Sequence, residues 1–150
     1  MPQADLATVV EAARRLLVRP DLADALVSRS GVVAPPVPVL QPDTLVKVAW
    51  FVPVTVEDVL AGFFVLGTDL SLRRWSTFQR HRDSLEGCPS ADDWLSPERI
   101  VARALQTSGG GTAGTPYLSY DTVPDRIAWI VPVDGSDVFV AGTTSWRARS

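Results

Sequence analysis

The sequence predicts an α+β fold: two similar helix-plus-antiparallel-strand halves, about residues 1–80 and 90–150, packed as one compact domain. Three observations carry this expectation. Each half opens on an amphipathic helix, and each continues into β-branched and aromatic runs separated by turn residues. The segment Val48-Ala49-Trp50-Phe51-Val52-Pro53-Val54 also recurs as Ile127-Ala128-Trp129-Ile130-Val131-Pro132-Val133, with Ala, Trp and Val-Pro-Val in the same order. Chance likeness between apolar strands and an internal duplication both account for the match. Proline inside a strand sits at an edge or a bulge, so Pro53 and Pro132 predict the same irregularity twice.

The first helix rests on Leu6, Val9, Val10, Ala13, Leu16 and Leu17, which share one face at the i, i+3, i+4 spacing. Asp5 is placed to cap it, and Pro20 marks its end. A shorter helix is expected over Asp21 to Ser28, closed by Gly31. Pro35, Pro36, Pro38 and Pro42 make Val32 to Asp43 an extended loop or an edge, because proline supplies no ladder donor. Strands follow at Leu45 to Val54, Val59 to Leu66 and Leu70 to Phe78. In the third, Leu70, Leu72 and Arg74 alternate with Ser71, Arg73 and Trp75, so its two faces divide less sharply.

Ser90 with Asp93 resembles a cap for a short helix ending near Trp94-Leu95. Ser96-Pro97 is a stronger start, with serine at the cap and proline at the first helical position. Ile100, Val101, Ala104 and Leu105 supply the apolar stripe, and Gly109-Gly110-Gly111 ends it. Strands are then expected at Thr115 to Tyr120, Arg126 to Val133 and Val138 to Thr144. Asp134-Gly135-Ser136 is a hairpin turn because glycine accepts positive φ.

Composition narrows the function. Hydrophobic residues make up 46% of the 150 and charged residues 21%, as in a globular chain with a real core. The net charge of −3 argues against sequence-independent nucleic-acid binding. Cys88 is the sole cysteine, so no internal disulfide and no cysteine-based metal site is expected, in keeping with a reducing compartment. No secretory leader and no apolar run of membrane-spanning length is read, which predicts a soluble cytoplasmic protein.

No catalytic constellation emerges. His81 and Cys88 are the only strong soft ligands, and as a thiol–imidazole pair they would need to meet across a loop. The run from Gly109 to Thr115 lacks the lysine of a phosphate loop and passes from helix to strand, the reverse order. Asp92-Asp93 and Glu57-Asp58 are adjacent, so their carboxylates diverge. The most distinctive polar feature is the run from Arg73 to Arg82, in which arginines alternate with aromatics. Arg73, Arg74, Trp75, Arg80, His81 and Arg82 are the expected partner-binding residues, arginine and tryptophan being favoured anchors at protein interfaces.

Trp50-Phe51, followed by Gly62-Phe63-Phe64-Val65-Leu66-Gly67-Thr68-Asp69-Leu70, resembles the YrhB-type immunity-protein domain over about residues 5–95. In that pattern a Trp-aromatic strand precedes a flat strand that ends in an acidic turn and a third strand. The resemblance implies a small cytoplasmic protein that neutralises a partner toxin by binding, with no catalysis of its own. The expected function is therefore a non-catalytic protein-binding module, immunity-like or an assembly accessory. It needs no cofactor or metal, binds neither nucleic acid nor membrane, and has unpaired sheet edges that allow a homodimer. The alternative is a small-molecule-binding domain with an apolar pocket between a helix and a curved sheet.

Overall fold

Strands dominate the chain. The computed structural model describes residues 5–19, 27, 30–81, 84–120 and 127–147, and 43% of these are strand against 25% helix. The balanced α+β class expected from the sequence is thereby corrected to a sheet-dominated one, with nine strands and short helices among the described residues. The reason is local. The Pro-rich stretch, expected as loop or edge, forms two short strands, β1 (Val32–Val33) and β2 (Val37–Leu40). A further strand, β9 (Thr144–Arg147), follows where one strand was expected to end. The helix expected over Asp21 to Ser28 falls largely outside the described residues; Val27 is helical and fully buried.

The polypeptide forms two compact units, Met1–Pro38 with Lys47–Pro89, and Val39–Val46 with Ser90–Ser150. In the first, β3 (Lys47–Val56), β4 (Val59–Gly67) and β5 (Leu72–Thr77) run antiparallel in chain order, and β1 pairs with the far end of β3. Helix α1 (Leu6–Leu17) forms as its periodicity predicts. The Asp5 carboxylate accepts from the Thr8 N–H at 2.8 Å and from the Thr8 hydroxyl at 2.7 Å, satisfying a donor that the first turn leaves open. Val9, Ala13 and Leu17 of α1 bury against Trp50, Val52, Val54, Phe64 and Leu66.

Pro53 stands inside β3 without breaking it. Its carbonyl accepts from the Ala34 N–H at 2.9 Å, so its own donor-less nitrogen faces away from β4, past the end of β1. The register against β4 shifts immediately afterwards, between Val54 and Thr55. In the second unit the Pro132 carbonyl accepts from the Gly114 N–H at 2.7 Å in the same manner, yet the ladder there runs through Pro132 without a shift. The irregularity expected twice therefore occurs once. Across from Pro132 a tight two-residue turn, Asp134-Gly135 with φ of 52° and 83°, already holds the register.

The second unit contains α2 (Ala91–Leu95), α3 (Pro97–Ser108), β6 (Tyr117–Tyr120), β7 (Ile127–Val133), β8 (Ser136–Ala141) and β9. Strands β6 to β9 pair antiparallel in chain order, and β2 joins β6 in parallel at Val39 opposite Leu118. Helix α3 starts at Ser96, whose hydroxyl accepts from the Arg99 N–H, and stops at Gly109 with φ of 82°. It buries Ile100 and Ala104 and packs on β7, β8 and β9. The Trp129 indole donates to the Trp94 carbonyl at 2.7 Å, tying β7 to α2. Among the described residues no helix is long and apolar enough to cross a membrane.

Candidate functional site

Strand β5 has one partner among the described strands, β4, and no described strand pairs with its other side. Hydrogen bonding along β4 determines which backbone groups point there. The Phe78 N–H donates to the Ala61 carbonyl at 2.8 Å, which makes that pair a hydrogen-bonded one. Alternation along an antiparallel ladder then turns Ser76 and Arg74 towards β4, and the N–H and C=O of Thr77 and Trp75 outward. At the other end the Gly67 N–H donates to the Ser71 carbonyl at 2.9 Å, so Leu72 also faces out. Between the two registers Arg73 is the extra residue of a bulge.

That bulge also sorts the side chains. Leu72 and Trp75, three residues apart, would lie on opposite faces of a regular strand, yet both pack on the α1 side of the first unit's core. The Trp75 ring lies 4.7 Å from that of Phe64 and covers Gly62, where a Cβ would come within 2.6 Å of it. Arg74 projects to the other face, with its guanidinium 5.6 Å above the Phe63 ring. Phe63 itself contacts Phe51 and Phe78 at centroid distances of 4.7 and 5.9 Å.

The six expected site residues are therefore not one surface patch. Trp75 is half-buried as a core side chain, and Arg74 lies over an aromatic row on the opposite face. Arg73, Arg80 and His81 are exposed, and Arg82 lies outside the described residues. Arg73 approaches Asp69 across Gly67. The Asp69 carboxyl sits below its ordinary range because it accepts from the Ser71 hydroxyl at 2.6 Å and from the Ser71 N–H at 3.1 Å, with Arg73 adding a smaller attraction. Arg80 lies along Gly87, whose φ of 87° and missing side chain give it room. The amide of buried Gln79 donates to the Ser84 carbonyl at 3.1 Å.

What sequence reasoning missed is the backbone itself. The residues around β5 drew attention for their side chains, whereas the chemistry on offer is a row of outward N–H and C=O groups. No local signal marks that row, because it depends on the pairing of β5 with β4.

Other chemistry finds less support in the geometry. Burial pushes the Cys88 thiol up from its ordinary pKa, the opposite of what a thiolate nucleophile requires. Among the described residues no group of three or more His, Cys, Asp or Glu side chains is placed to hold a metal ion. A solvent-open concavity of about 400 Å³ lies between Ser108, Asp134, Asp137 and Arg147, and another of about 670 Å³ lies beside α1. Neither is lined by a tryptophan. Trp50, Trp94 and Trp129 are buried, and Trp146 stacks on Phe139 at 5.7 Å. No known protein family, curated protein sequence or solved structure is significantly similar to this chain.

Proposed function

We propose that this protein is a non-catalytic protein-binding module that recruits its partner by strand addition at the outer edge of β5. The observation that carries the reading is the outward row of backbone groups at Leu72, Trp75 and Thr77, held rigid because Leu72 and Trp75 are packed into the core. A partner strand gains main-chain hydrogen bonds there without any rearrangement of the module. The other outer strand, β9, is a poorer host. It has four residues, and its Ser145 and Arg147 side chains are tied to Thr107 and to the Ser108 carbonyl of α3. The single cysteine fits a cytoplasmic setting.

The test uses two substitutions at one position. Thr77→Pro removes an outward N–H and leaves the β4 ladder intact, since Thr77 makes no ladder bond to β4. Thr77→Val removes only the hydroxyl, which donates to the Ala61 carbonyl and accepts from the Gln79 N–H. In affinity capture from the native host, Thr77→Val should retain the partner taken by the unsubstituted protein and Thr77→Pro should lose it. Equal retention by both variants would sink the edge reading.

A further inference from the structure

We propose that the strand added at β5 is an acidic extended segment of another protein, not a second copy of this chain. This rests on the edge-binding reading above and adds the chemistry of the occupant. The chain carries a formal net charge of −3, yet the run from Leu72 to Arg82 holds Arg73, Arg74, Arg80 and Arg82 with His81 and no acidic residue. Arg73 is exposed within β5, and Arg80 is exposed three residues beyond its end, where it lies along Gly87. Arg73 is the bulge residue, so it falls outside the regular alternation of the strand, beside the edge groups of Leu72 and Trp75.

Charge on an edge strand discriminates between occupants. Two copies of β5 paired edge to edge would bring the arginines of both strands together, and like charges facing across a ladder are destabilising. A neutral strand would satisfy the backbone groups but offer Arg73 no carboxylate beyond that of Asp69 beside it. A strand with a carboxylate opposite the bulge meets Arg73 while its backbone pairs with Leu72, Trp75 and Thr77, and a strand that continues past Thr77 runs on towards the segment that carries Arg80. Arg74, held over Phe63 on the other face, adds to the local positive potential.

Capped synthetic peptides of about seven residues, the length of a short strand, alternate Thr with Glu, with Gln or with Lys. Each is titrated into the intact protein by calorimetry, and amide hydrogen exchange is followed at Trp75 and Thr77. The Glu peptide is expected to bind about tenfold more tightly than the Gln peptide, to exceed the Lys peptide further, and to slow exchange at both amides. Arg73→Gln with Arg80→Gln should bring the Glu and Gln peptides to equal affinity with only a small fall in melting temperature, since Arg73 adds the smallest of the attractions on the Asp69 carboxylate. Equal affinity of the two peptides for the unsubstituted protein, with Trp75 and Thr77 still protected, would overturn the acidic preference and leave the edge reading in place. Absence of protection with all three peptides would overturn both. Concentration-dependent dimerisation that protects the same two amides, or tighter binding of a single-stranded oligodeoxythymidylate than of the Glu peptide, would also overturn the proposal.

Discussion

Two exposed aspartates show how single side chains organise the first unit. Asp5 closes the start of α1 through Thr8, and Asp69 closes the turn before β5 through Ser71. In both, the hydrogen bonds favour the ionised carboxylate and hold its pKa below the ordinary aspartate range, the side-chain bond being the larger cause. A carboxyl with a lowered folded-state pKa stabilises the fold above its unfolded-state pKa. That contribution is lost as pH falls through the folded-state value. The melting temperature should accordingly hold steady from pH 7 to about 5 and decline below about 4. Asp5→Asn keeps a capping oxygen but cannot titrate, so the part of the decline due to α1 should shrink. Carboxyl carbon NMR titration reads both sites directly, and an Asp5 midpoint at or above that of a model peptide would refute the capping account.

At the scale of the element, the seating of β5 depends on the absence of a side chain at Gly62. A Cβ at that position would stand 2.5 Å from the Ser76 carbonyl oxygen and 2.6 Å from the Trp75 ring. Neither neighbour yields readily, one being backbone and the other a ring held against Phe64. Gly62→Ala should therefore destabilise the protein by about 1–3 kcal/mol, as overpacking does, and speed exchange along β5. Gly114→Ala is the matched control, because its Cβ would meet Pro132 at an ordinary 3.6 Å. Urea denaturation followed by tryptophan fluorescence separates the two, and equal midpoints would show that β5 is not seated as described. Element identity was readable where local chemistry decides it. Asp5, Ser96-Pro97 and Gly109 bound α1 and α3 through caps that act within one turn. β1 and β2 were obscured because prolines crowd their sequence; Pro35 and Pro36 lie between the strands, and Pro38 is an exposed residue of β2.

Charge distribution acts at the scale of the whole molecule. An acidic chain that exposes Arg73 beside one sheet edge repels acidic partners generally while attracting them locally, and salt screens that attraction. Raising sodium chloride from about 0.05 M to about 0.5 M, which shortens the Debye length severalfold, should weaken binding of the Glu peptide. The same change should have a smaller effect on the Arg73→Gln, Arg80→Gln double variant. Identical salt slopes for the two proteins would place the acidic contact elsewhere. Arg74 is left unsubstituted here because its packing over Phe63 would mix folding with binding.

The sequence by itself determined the elements whose signals are local. These are the capped amphipathic helices, the β-branched cores of β3, β4 and β7, and the Asp134-Gly135 turn. It also marked the region around β5 as chemically distinct. Only the tertiary structure decided the fold class, the register shift after Pro53 with no counterpart at Pro132, and the sorting of Arg73, Arg74 and Trp75 to different surroundings. The physical reason is that a strand's side chains obey its own alternation until a neighbouring strand imposes a register. The bulge at Arg73 exists only in the pairing of β5 with β4. Which backbone groups remain for a partner follows from the same pairing, so the candidate site became legible only with both strands in place.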